Sequence, residues 1–248
     1  MRTVLATFIF FLCLSVQVFS QEPWRQIKIS EDLKVLQISE HSYVHVSYFQ
    51  ISGFGRVGSN GCIYTNNGEA LLFDTPADDS LTKQLVSWIT NSLKARIIGF
   101  VPNHWHIDCM GGLKYLTSIG IPSYANEETI TIAKSKNLPL PQHNFNDSLT
   151  LHLGDKTVIC KYFGPAHTID NIVTWIPSER ILFGGCMVKE LKSGTLGNLA
   201  DADRAEWPKT LRRVIAEYSS AEIVIPGHGE FGGKELLTHT LKLLTKAK

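Results

Sequence analysis

The chain has 248 residues, 44% of them apolar, and a formal net charge of only +1. That length buries a sizeable core in one large domain or two small ones, and one is the simpler reading. No basic run and no Gly/Ser-rich or Pro-rich linker is present, so a nucleic-acid partner and a hinge are both disfavoured.

The N-terminus reads as a secretory signal over residues 1–20. Arg2 supplies a positive start, Val4 to Val18 an apolar stretch, and Val18-Phe19-Ser20 a processing site before Gln21. The apolar stretch is shorter than the ~20 residues a bilayer crossing needs, and polar Gln21-Glu22-Pro23 follows it, so cleavage is expected rather than anchoring. Lipid attachment at Cys13 is disfavoured by bulky Leu12 before it.

Beyond the signal, the first half reads as a strand meander: Leu33 to Ile38, Tyr43 to Phe49, Gly61 to Thr65 and Ala70 to Asp74, with Asn66-Asn67-Gly68 as a hairpin turn. Between the second and third strands, Phe54 stands between Gly53 and Gly55 at an expected hairpin tip. After Asp78-Asp79-Ser80, with N-cap chemistry, Leu81, Leu85, Ile89 and Leu93 predict an amphipathic helix.

Strands and helices then alternate. Ile97 to Val101, Thr157 to Phe163, Ile172 to Ile176, Arg180 to Phe183 and Glu222 to Ile225 read as extended. Gly111 to Ser118, Glu127 to Lys136, Ala202 to Tyr218 and Lys234 to Leu244 read as helical. Strand-rich halves, each followed by helices, suggest two sheets packed face to face with helices outside.

Four of these strands run into a metal-ligand residue type: Val101 toward His104, Phe163 toward His167, Phe183 toward Cys186 and Ile225 toward His228. Gly or Pro lies between strand and ligand each time, which makes a loop tight enough to aim a side chain from a rigid scaffold. His104-Trp105-His106-Ile107-Asp108 adds three ligand types at alternating positions. In extended or tight-loop backbone these project to one side and reach two adjacent ions. His41, His45, His143, His152 and His239 lack such company and read as surface or core residues.

Four cysteines remain after signal removal, an even number in an oxidising compartment, yet two disulfides are not expected. Cys62 and Cys160 lie inside strand-like apolar runs, while Cys109 and Cys186 stand beside metal-ligand types.

His104-Trp105-His106-Ile107-Asp108, Gly164-Pro165-Ala166-His167, Gly184-Gly185-Cys186 and Pro226-Gly227-His228-Gly229 resemble the metallo-beta-lactamase superfamily, specifically its class B lactamases of the first subclass. The likeness extends from about Leu33 to the C-terminal helix in the order and spacing of motifs. It implies one domain over residues 21–248, an α/β four-layer αβ/βα sandwich of two mixed sheets, and a di-zinc site at its edge. It also implies that His104, His106 and His167 hold one zinc and Asp108, Cys186 and His228 the other.

The chemistry agrees with that division: three neutral imidazoles leave a tetrahedral zinc open to water, and a carboxylate, a thiolate and an imidazole offset more of the second ion's charge. The resemblance further implies hydrolysis of penicillins, cephalosporins and carbapenems. Asp108 would orient the nucleophile, Lys189 pair with the substrate carboxylate, Asn198 assist the developing oxyanion, and Phe54 cover the substrate. A periplasmic monomer with no stable membrane association after signal cleavage is expected.

Two rivals are weaker. Thioesterases of the glyoxalase II type and zinc nucleases carry His after the motif Asp and an Asp near the Cys186 position, whereas this chain has Cys109 and Cys186 there. A zinc-storage protein would close its sites, and it would have no use for Lys189.

Overall fold

The computed structural model describes residues 24–53 and 55–246, so the expected signal peptide and Phe54 lie outside the described residues. The meander forms first. β1 (Arg25–Ser30), β2 (Leu33–Gln37), β3 (Ser42–Ile51), β4 (Gly55–Asn66) and β5 (Glu69–Phe73) pair antiparallel in chain order. Asn67 and Gly68 turn the last hairpin with φ of 50° and 74°, the left-handed pair that suits the twist of the flanking strands. α1 (Asp79–Ser92) then crosses over to β6 (Arg96–Val101), which joins β5 in parallel as the sixth strand. Asp78 caps α1 by accepting the Leu81 N–H at 2.8 Å.

α2 (Ile107–Met110), α3 (Leu113–Ser118), β7 (Tyr124–Asn126), α4 (Glu127–Ser135) and β8 (His143–Phe145) connect this sheet to the second. The second sheet is built from β9 (Ser148–Leu153), β10 (Lys156–Tyr162), β11 (Ile172–Ile176), β12 (Ile181–Gly185) and β13 (Ile223–Pro226), in the order β13-β12-β11-β10-β9. α5 (Trp207–Glu217) is the crossover between parallel β12 and β13, and α6 (Glu235–Lys246) ends the described chain.

Three apolar cores separate four layers. Leu85, Ile89, Leu113 and Leu116 pack on one face of the first sheet, against Ile63, Leu72 and Phe100. Val44, Tyr64 and Phe73 meet Val158, Ile172 and Phe183 between the sheets. Trp207, Leu211, Val214, Leu236 and Leu237 cover the far face of the second sheet. This is the expected four-layer α/β sandwich. Cys62 and Cys160 are free and sealed in the middle core, as their apolar surroundings suggested, and Cys109 and Cys186 are free as well.

The elements depart from the sequence reading in instructive ways. The His104–Asp108 segment is not extended throughout: four bends carry Asn103 to His106, and Asp108 stands in the first turn of α2. A four-residue helix is too short to leave a periodic signature. α5 begins at Trp207 rather than Ala202, because Asp203 Oδ1 accepts the N–H groups of Ala205 and Glu206 just ahead of a helix with Pro208 in its first turn.

Candidate metal centre

The loops after β6, β10, β12 and β13 meet at one edge of the sandwich. Asn103, two residues past β6, is fixed from both sides: its N–H donates to Asp74 Oδ1, and its Nδ2 donates to the Ile172 carbonyl at 2.6 Å. The next turn is held by buried Asp170, whose Oδ2 accepts the Trp105 N–H at 2.9 Å and the Thr129 hydroxyl at 2.7 Å. At the end of β12, Gly185 adopts φ 55°, and a Cβ there would collide with the Asn103 side chain, so Cys186 is delivered by a turn that glycine permits. After β13, Asn60 Nδ2 donates to the carbonyls of Pro226 and Gly229, both at 2.9 Å, and brackets His228.

The structure brings all six expected ligand residues together. One ligand atom each from Asp108, Cys186 and His228 lie within 4.8 Å of one another, as do atoms of His104, His106 and Asp108, and of His104, His167 and Cys186. The three imidazoles of His104, His106 and His167 face each other with ring centroids 4.6, 5.1 and 5.3 Å apart. His228 Nε2 lies 3.2 Å from Asp108 Oδ2, and the Cys186 thiol donates to the same oxygen at 3.7 Å.

The outward nitrogens matter as much as the inward ones. His104 Nε2 and His106 Nδ1 are 2.9 Å apart, so these are the atoms turned to the centre. On the far sides, His106 Nε2–H donates to Asp201 Oδ2 at 2.9 Å and His228 Nδ1–H donates to the Gly58 carbonyl at 2.8 Å. His104 Nδ1 sits 3.2 Å from Cys109 Sγ, and the Cys109 thiol in turn hydrogen-bonds the Asp74 carboxylate. Ligating histidines commonly show this pattern, the outer N–H fixed so that the inner nitrogen is a lone-pair donor.

Protonation follows the same logic. Burial, with repulsion from His106, lowers His104 to about 3, and burial likewise lowers His167. Both rings are neutral and ready to ligate at neutral pH. Burial would raise Asp108, but the hydrogen bond and charge of His228 hold its carboxyl below the usual range. Burial would lower His228, but Cys186 and Asp108 hold it well above an ordinary histidine. Burial pushes the Cys186 thiol up.

A cavity of about 260 Å³ opens beside His228, lined by Ile51, Val57, Lys189, Thr195 and Asn198 among others. Lys189 is buried, its Nζ 5.5 Å from the centroid of the Trp207 ring, and no carboxylate among the described residues pairs with it. Asn198 is exposed on the same cavity, its Oδ1 accepting the Ala200 N–H at 3.0 Å, which leaves the amide NH₂ as a donor. Sequence reasoning missed Asp201, Asp74, Asp170 and the Gly58 carbonyl. Asp74 carried a faint signal, a carboxylate ending the apolar run Ala70 to Phe73, while Asp201 carried none.

The model of the metallo-beta-lactamase superfamily matches residues 55–228. A metallo-beta-lactamase type 2 of Bacteroides fragilis is 50% identical over 222 residues, 90% of this chain and 89% of that protein. One of the same name from Bacillus cereus is 36% identical over 212 residues, 86% of this chain and 82% of the relative. Among solved structures, a metallo-beta-lactamase from Pontibacter korlensis superposes with a TM-score of 0.83 at 37% identity, covering 86% of this chain and 99% of the other. The metallo-beta-lactamase FIM-1 from Pseudomonas aeruginosa, in a mono-zinc form, superposes with a TM-score of 0.82 at 32% identity, covering 89% and 99%.

Proposed function

The chain belongs to the metallo-beta-lactamase superfamily, and from that premise we propose how its site divides the work of opening a beta-lactam. It is a zinc-dependent enzyme that hydrolyses the beta-lactam amide. In our reading two zinc ions are held per chain, one by His104, His106 and His167 and one by Asp108, Cys186 and His228. The donor set supports this. Imidazoles suit zinc, thiolate is its soft and strongly bound ligand, the fixed outer nitrogens of His104 and His106 leave their inner nitrogens free to donate, and zinc would displace the proton that Asp108 and Cys186 favour on His228. Zinc bound there supplies Lewis acidity and makes water a competent nucleophile at neutral pH.

The protein's own groups do the rest. Lys189 captures the carboxylate common to penicillins, cephalosporins and carbapenems. Asn198 points a neutral donor at the carbonyl oxygen on which negative charge develops. Asp108, ionised by its surroundings, orients the attacking water by accepting its hydrogen bond. Burial of His104, His167 and Cys186 excludes bulk water behind the substrate and strengthens each of these interactions. Phe54, which lies between β3 and β4 in the sequence, is assigned a substrate contact in this reading.

Lys189 carries this reading. Burial lowers its pKa more than Cys186 and Asp108 raise it, and no carboxylate of the described residues forms an ion pair with it, a cost that a substrate carboxylate offsets. The test compares a penicillin with its methyl ester, with and without chelator. Chelator-sensitive hydrolysis of the acid, with kcat/KM about tenfold or more above the ester, is expected. Hydrolysis of thioesters but not of the penicillin would overturn the reading. We further place the enzyme in the periplasm as a monomer, after removal of residues 1–20. Arg2 and the apolar stretch that follows support export, and no helix of the described residues is long and apolar enough to cross a membrane.

A further inference from the structure

The hairpin of β3 and β4 outruns its sheet. β2 pairs with β3 only as far as Ser47, and β5 pairs with β4 only from Cys62 onward. Residues 48–51 and 55–61 form a two-stranded ribbon, which has little rigidity of its own. Its angle therefore depends on what grips it from the sides.

Register decides what each face meets. Phe49 pairs with Val57 and Ile51 with Gly55, and Ile51 and Val57 line the cavity beside Lys189, Asn198 and His228. Gln50 pairs with Arg56 and Tyr48 with Gly58, so these point to the opposite face. There Arg56 Nη2 donates to Asp32 Oδ1 at 2.7 Å and to the Glu31 carbonyl at 2.9 Å, while Nε donates to the same Asp32 oxygen at 3.1 Å. The guanidinium lies 4.0 Å from the centroid of the Tyr48 ring, and that ring lies so close over Gly58 that a Cβ there would touch it at 3.0 Å. The Tyr48 N–H donates to the Asp32 carbonyl at 2.9 Å. The turn between β1 and β2 thus grips both strands of the ribbon through one guanidinium.

We propose that Arg56, clamped by Asp32 and stacked on Tyr48, is a positioning residue that sets the angle of the ribbon and so the wall that Ile51 and Val57 present to substrate. The inference rests on the cavity being the beta-lactam site. Arg56 touches neither ligand residues nor substrate, so it acts on binding and not on the chemical step. Arg suits the role because a planar fork reaches Asp32, a carbonyl and a ring together, which an ammonium cannot.

The experiment takes the zinc-loaded enzyme with Arg56→Ala, Asp32→Ala, the double variant and Arg56→Lys. Arg56→Ala is expected to raise KM for a chromogenic cephalosporin about three- to tenfold, with kcat within about twofold and zinc content unchanged. Asp32→Ala should match it, the double variant should be no worse than either single one, and Arg56→Lys should recover little. Amide exchange should accelerate in the peptide spanning residues 48–58 and not elsewhere. Unchanged KM and exchange in Arg56→Ala, additive effects in the double variant, or faster exchange throughout the chain would each overturn the brace. A parent enzyme inert toward every beta-lactam would instead refute the assigned substrate, while the exchange measurement still judges the brace.

Discussion

Asp201 was invisible in the sequence, and replacing it tests whether the outer hydrogen bonds tune the centre. In Asp201→Ala, His106 Nε2–H loses the acceptor it holds at 2.9 Å, and the ring gains both tautomeric and rotational freedom. Losing such a partner typically lowers metal affinity about 10–100-fold. The Asp201 side chain is 38% exposed, so water replaces part of the interaction and the lower end, about tenfold, is expected. Asp201→Asn keeps an acceptor oxygen and should lose less than the alanine variant. The assay is competition for zinc against a chromogenic chelator, which needs no turnover, with metal-free thermal stability as a control. Unchanged zinc affinity in Asp201→Ala, or a loss matched by a collapse of metal-free stability, would show that the Asp201 hydrogen bond does not tune the centre.

Three further outcomes follow from the same geometry. Cys186→Ser exchanges a thiolate for a hydroxyl that seldom deprotonates, so one zinc should be held tightly and the second weakly, with turnover partly restored by added zinc; two tightly held ions in that variant would break the proposed ligand split. Lys189→Ala should raise KM for carboxylate-bearing substrates about tenfold with kcat largely kept, more at low salt than at high, and a collapsed kcat at constant KM would deny it the anchoring role. His45 is fully buried, and burial lowers its folded pKa to about 4, so the fold holds it neutral while the unfolded side chain, near 6.5, takes up a proton. Its contribution is complete above the unfolded value and is lost as pH falls from about 6.5 toward 4, by roughly 1.4 kcal/mol per pH unit, which denaturant titration of the metal-free protein and of His45→Gln at several pH values will read as a shallower fall in the variant, since His104 and His167 titrate in both.

The strand-to-ligand turns were legible because apolar runs that stop at Gly or Pro mark both the end of a strand and the tightness of its loop. The extent of β4 was not, since Gly55, Gly58 and Gly61 dilute its pattern, although the partners across β3 hold it extended from Gly55 to Asn66. β9 had a signal that went unread, with Leu149, Leu151 and Leu153 at strict alternation. β1 had a shorter one, Ile27 and Ile29 alternating with Gln26, Lys28 and Ser30 on an edge strand. At the centre, residue types and spacing pointed to the six side chains that the structure brings together. The groups behind them, Asp201 to His106, Gly58 to His228 and Asp74 through Cys109 to His104, lie far apart along the chain or in backbone atoms, where local pattern says nothing. Arg56 and Asp32 belong to that second kind, joined only by the way β1, β2 and the ribbon stack.

We propose that turnover depends on zinc held by these two ligand sets. Native mass spectrometry and hydrolysis of a chromogenic cephalosporin, followed on the same metal-free samples as zinc is added stepwise, test it most directly. The expected result is no turnover without metal, two zinc ions bound per chain at saturation, Cys186 free of any disulfide, and activity rising with occupancy. Two ions bound with no hydrolysis of any beta-lactam, or full turnover by protein shown to hold no metal, would contradict it.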